Sequence, residues 1–169
     1  YYKRICGEIE MKKSNKFFIS MSPFCSGKEM ISESVPHALS ILYVLLGKGE
    51  ISDLRVDWIK KEEMIITFQY LFGVRDCAVF IKLARKEEQP RDFHFGLNDK
   101  IVSRSLNLKN YDIYFSYGYK KMKIADPLEL SVKNFIEAIE KKKEPLIGGD
   151  HIISNASLLK KIYDGCIEA

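Results

Sequence analysis

No stretch of this chain approaches the roughly 20 consecutive apolar residues that cross a bilayer, and no signal-peptide pattern is visible, so a membrane role is not expected. The four cysteines, Cys6, Cys25, Cys77 and Cys166, include no CxxC pair, and three of them sit in apolar stretches. They read as reduced, buried thiols of a cytoplasmic protein, not as a disulfide framework. The three histidines, His37, His94 and His151, share no ligand spacing with those cysteines, which argues against a zinc site. A dominant charge is missing as well: 27 basic and 23 acidic side chains leave a net +4, the signature of a solvated mixed surface. "YDIYFSYGYKKMK" interleaves aromatics with lysines, yet no cluster of Arg and Lys tracks one groove, so nucleic acid is not an expected partner. Repeats, low-complexity tracts and linkers are absent too.

What remains is the pattern of one folded domain spanning 1–169, with enough apolar residues for a core. Alternation in "YYKRICGEIEM" suggests an opening strand, forming a hairpin with "KFFISMS". A chain that starts without methionine in what reads as a strand is expected to be part of something longer. After a loop, a helix is expected with Ser34 as cap, Pro36 in its first turn and Gly47 as its stop. Apolar residues cover nearly every face of that helix, predicting burial all round. Strands dominate residues 51–124, with turns at Gly73, Asn98-Asp99 and Gly118. Asp126-Pro127 opens a helix with Leu128, Val132, Phe135, Ile136 and Ile139 at helical spacing, and Asp150 can cap a last one. The fold class is α+β: a large, mostly antiparallel open-faced sheet with helices packed on one face.

One stretch, "SESVPHALSILYVLLG", carries a titratable ring at the mouth of an apolar helix. Glu33 precedes His37 by four residues, a spacing that would stack both on one helical face, with a looser geometry because Glu33 lies just before the Ser34 cap. A carboxylate beside imidazole raises its pKa and burial lowers it, so such a ring can be set near neutrality as a general base. The bland alternative is a core-edge histidine bonded to backbone, with Glu33 solvated. "GGD" before the last helix is compatible with a turn or an anion site, and a lone glycine pair decides nothing. His94, between Phe93 and Phe95, should point to the opposite sheet face from them.

The order of these pieces resembles the glucose–fructose oxidoreductase and inositol dehydrogenase family (Gfo/Idh/MocA). The closing segment, from "ADPLEL" onward, matches at Pro127-Leu128, Phe135, Glu144-Pro145-Leu146 and Gly149-Asp150. Glu33, His37 and Gly47 match an acid, three residues, a histidine and an apolar helix ending at glycine; the family acid is usually aspartate. Neither a G-x-G-x-x-G turn nor an E-K-P motif is present, so the resemblance is to the C-terminal domain without its Rossmann partner. It implies a substrate-binding and dimerisation domain of an NAD(P)-dependent oxidoreductase acting on a sugar or polyol hydroxyl. His37 would be the catalytic base and Glu33 a substrate-binding residue. NAD or NADP would serve the full-length enzyme, with none expected to bind this chain alone. The free sheet face would pair two subunits. The competing reading is a non-catalytic α+β protein-interaction module in which His37 is structural.

Overall fold

The computed structural model describes residues 1–145 and 147–166. Leu146 of the E-P-L match, and Ile167 beside Cys166, therefore lie outside the described residues. In chain order the elements are α1 (Tyr2–Cys6), β1 (Ser14–Met21), α2 (Glu29–Leu46), β2 (Glu50–Lys60), β3 (Glu63–Phe72), β4 (Arg75–Ala84), β5 (Phe93–Leu97), β6 (Lys100–Leu106), β7 (Ile113–Tyr117), β8 (Lys120–Ile124), α3 (Pro127–Glu140) and α4 (Gly149–Gly165). The eight strands form one open sheet in the order β2-β3-β4-β1-β5-β6-β7-β8. All neighbours are antiparallel except β1 and β4, which run parallel. The α+β class holds.

Period-two alternation sorts the two faces. In β3, Met64, Ile66, Phe68 and Tyr70 turn inward and are buried, while Ile65, Thr67 and Gln69 face out and are half-buried. Helix α2 lies over β1 and β4, and α4 packs on α2 and β2. The short α1 covers the other half of the same face, where Tyr2 packs against Phe95 with ring centroids 5.1 Å apart. Hairpin turns fall where a left-handed first residue is tolerated: Gly73 (φ 59°), Asn98 (φ 56°) and Gly118 (φ 56°).

Five details differ from the sequence reading. Residues 2–6 are helical, because Tyr2, Ile5 and Cys6 share one buried helical face. No hairpin with β1 forms, since β4 and β5 already occupy both of its edges. Helix α2 begins at Glu29, not beyond Ser34. Its buried stripe Met30, Ile31, Ser34, Val35, Ala38, Leu39 and Leu42 follows the 3.6 period across Pro36. Each large apolar side chain in that stripe contributes roughly 1.5–3 kcal/mol of burial. That outweighs the missing Pro36 N–H, whose would-be acceptor on Ser32 lies at an exposed residue that water can reach. The helix is not buried all round either: His37 is exposed, and Val44 is 71% exposed. Finally, α4 is preceded by Gly148, with Asp150 inside its first turn.

The expected α3 forms with Asp126 as cap, its carboxylate accepting from the Leu128 N–H at 2.7 Å. Its apolar stripe does not enter the core. Leu128, Val132, Phe135, Ile136 and Ile139 are exposed, and within α3 Ala138 alone is buried. Cys6, Cys25 and Cys77 are free thiols, and Cys6, Cys77 and Cys166 are buried. Among the described residues no helix is long and apolar enough to cross a membrane.

Candidate functional site

Because α2 covers β1 and β4 and α1 covers the far strands, a cleft opens between them over β5–β8. It measures about 600 Å³. Inward-facing aromatics of the sheet, Phe93, Phe95 and Phe115, make its floor. One side of α2, with Glu33, His37, Ser40 and Ile41, makes a wall. The loops after β1 and before β5 supply the rim, including Ser22, Gln89, Arg91 and Asp92.

His37 stands on that wall, exposed, and among the described residues it has no hydrogen-bond or ion-pair partner. Ala38 and Leu39, the next residues along α2, are sealed in the core, so the helix that carries the ring is anchored directly beneath it. An imidazole so placed is free to exchange a proton with a molecule in the cleft.

Glu33 lines the same cleft but its carboxylate is engaged elsewhere. Both oxygens accept from the Phe24 N–H at 3.1 Å, and Oε2 also accepts from the Cys25 N–H at 2.9 Å. Arg91 Nη1 approaches to 3.5 Å. Burial alone would push the Glu33 carboxyl up. The two backbone N–H groups, the Cys25 thiol and Arg91 overcome that and hold it below the usual carboxylate range. Glu33 thus clamps the β1–α2 loop and Arg91; it forms no bond with His37, although the two are four residues apart on α2.

Two cleft residues escape sequence reasoning: Arg91 and Arg104. Arg91 stacks on Phe24, its guanidinium carbon 5.2 Å from the ring centroid. Arg104 sits 5.0 Å over Phe93. The signal for Arg104 was its register: in β6 it shares the inward face with buried Val102, a position where a cation is unusual. Arg91 lies in an irregular segment whose path only the folded chain defines.

The other histidines are placed apart. His94 points to the opposite sheet face, as its position between two phenylalanines predicts, with Nδ1 2.8 Å from Ser103 Oγ. His151 is buried and stacks on Tyr43 with centroids 4.0 Å apart, and its Nε2 has no partner. Burial pushes its pKa down. No group of metal-ligating side chains converges among the described residues.

The sequence matches no protein-family model and no curated protein. Solved structures do match. A dehydrogenase from Clostridium difficile superposes with a TM-score of 0.58 at 15% identity, covering 98% of this chain and 58% of that one. The UDP-N-acetylglucosamine 3-dehydrogenase of Acidithiobacillus ferrooxidans gives a TM-score of 0.60 at 14% identity, covering 97% and 59%. The chain has the fold of the matched part of these dehydrogenases. It spans a little under three fifths of the length of either of these structures, and at such identities the likeness is one of fold.

Proposed function

We propose that this chain is the substrate-binding and oligomerisation domain of an NAD(P)-dependent oxidoreductase acting on a sugar or polyol hydroxyl. The observation that carries the reading is His37: an unpaired, exposed imidazole on a rigid helix at the wall of an open, aromatic-floored cleft. In this reading His37 takes the hydroxyl proton of the bound substrate as the carbon bearing it is oxidised. Glu33 serves binding by holding Arg91 and the loop of Phe24 and Cys25 in place at the substrate.

The residues present do not fit a dinucleotide. Among the described residues no G-x-G-x-x-G turn leads into a helix for a pyrophosphate: α2 opens at Lys28-Glu29, the first amides of α3 are taken by Asp126, and α4 has only the pair Gly148-Gly149 at its start. The hydride acceptor is therefore assigned to a dinucleotide-binding domain outside these residues. The exposed apolar stripe of α3 is a surface such a domain would cover. The free sheet face, where Phe18 and Phe80 stack with centroids 5.7 Å apart beside a depression of about 550 Å³, is assigned to subunit pairing. The protein is read as cytoplasmic.

The test is His37→Ala in the protein that carries the dinucleotide-binding domain, assayed against a polyol and aldose panel. Turnover should fall by orders of magnitude while the melting temperature of the variant stays within about 2 °C, since an exposed, unpaired ring holds nothing in place. Unchanged turnover would remove His37 from its role, whereas no turnover of any panel member by the wild-type protein would favour a protein-interaction module, for which α3's stripe would be the docking surface.

A further inference from the structure

The charges around the cleft do not balance where they touch. Arg91 and Arg104 both line it. Arg104 is half-buried and cradled by Phe93, and among the described residues no carboxylate, carbonyl or hydroxyl accepts from its guanidinium. The charged group that acts on it is Arg91, a like charge. Arg91 has Glu33 at 3.5 Å, but Glu33 is already taken up by two backbone N–H groups, and the Arg91 Nε is buried without an acceptor. Asp92 also lines the cleft, and its own neighbours are Lys86 at 3.7 Å and Ser22 Oγ at 3.5 Å. Arg104 thus brings an unpaired guanidinium to a cavity that Arg91 also lines, against an energetic preference for pairing half-buried charge.

We infer that the ligand of this cleft is an anionic sugar derivative, a sugar acid or sugar phosphate, whose carboxylate or phosphate is gripped by Arg104 with Arg91 while its carbon skeleton lies on the aromatic floor beside His37. This rests on the reading of the cleft as a substrate site and narrows its substrate class. The planar donor fork of arginine suits a two- or three-oxygen anion, and the contact with the Phe93 ring holds the guanidinium at the cleft. A neutral sugar would leave the Arg104 guanidinium without an anion and gain nothing from its charge.

The test uses the 169-residue chain itself, titrated calorimetrically with glucose 6-phosphate, glucuronate, inorganic phosphate and glucose. At least one of the three anions should bind, with affinity falling as salt rises, and glucose should bind at least tenfold more weakly. The tighter of glucuronate and glucose 6-phosphate identifies the anionic group. R104Q should raise the Kd of that anion at least tenfold, and R104K should recover part of the loss. Because R104Q removes a half-buried cation that lacks an acceptor, its melting temperature without ligand should not fall, whereas stabilisation by the anion should vanish. Equal binding of glucose and the anions, an R104Q variant with unchanged affinity, or no anion binding would each overturn the inference. Equal glucose binding would leave the sugar-cleft reading standing. Conversely, loss of His37's catalytic role would leave anion binding by Arg104 untouched.

Discussion

Replacing Glu33 by glutamine separates two roles that its sequence position leaves open: partner of His37, or clamp of the β1–α2 loop. The carboxylate accepts the N–H groups of Phe24 and Cys25 at 2.9–3.1 Å. Hydrogen bonds to a charged acceptor contribute roughly 1.5–3 kcal/mol each. Glutamine keeps one acceptor oxygen and turns its NH2 toward one of these donors, so one bond is kept in weaker form and one is lost. Partial exposure lets water replace some of the loss, and the half-open Arg91 contact adds at most about 0.5 kcal/mol. The expected destabilisation is about 2 kcal/mol at pH 7. With a urea m-value of about 2 kcal/mol per M for a domain of this size, the midpoint falls by about 1 M. The pH dependence supplies a second check. Glu33's carboxyl is held below its ordinary value of 4.5, so its contribution is present above that value and is lost as pH falls through the folded one. The gap between wild type and E33Q should therefore narrow toward about pH 3. A variant within about 0.5 kcal/mol of wild type at pH 7, or a gap that stays constant down to about pH 3, would refute the clamp.

Three other outcomes are expected. Gly96→Ala places a Cβ 2.3 Å from the Lys100 carbonyl oxygen and 2.6 Å from Ile101 Cα, both backbone atoms. The β5–β6 hairpin must shift, at a cost of about 2–3 kcal/mol, so a thermal melt should drop by about 5–10 °C; an unchanged melt would mean the hairpin is looser than described. Tyr2→Phe removes a hydroxyl that donates to the Lys100 carbonyl at 2.6 Å and accepts from the buried Leu97 N–H at 2.7 Å. A loss of about 1–3 kcal/mol should register in urea unfolding, and amide exchange at Leu97 should quicken. For His151, burial lowers the folded pKa, so the unfolded chain binds the extra proton first. Stability should decline as pH falls below about 6.5, and His151→Phe, which keeps a ring on Tyr43, should flatten that decline; an identical pH profile in the variant would exclude His151 as its source.

Much of the sheet was legible because it is built from local hairpins. Period-two alternation in β3 and β4 and the left-handed positions at Gly73, Asn98 and Gly118 carry their own signals. The start of α2 was also written in the chain, in the spacing of Met30, Ile31, Ser34, Val35, Ala38 and Leu39, but Pro36 and the loop-like "PFCSGKEM" obscured it. The opening strand was a false reading because Ile5, Ile9 and Met11 satisfy an alternating pattern as readily as a packing role against the core. Of the site, His37 and Glu33 were visible through their spacing, whereas Arg91 and Arg104 were not, being 13 residues apart with no local pattern linking them.

By itself the sequence determined the α+β class, the two-residue hairpin turns and the ring carried by an apolar helix, because each depends on neighbours a few residues away. Tertiary structure alone decided that β1 sits between β4 and β5, that Glu33 turns to the loop instead of to His37, and that two arginines face one cleft. Those outcomes depend on which distant segments compete for the same edge, the same donor or the same cavity, and that competition is settled only when the whole sheet has formed.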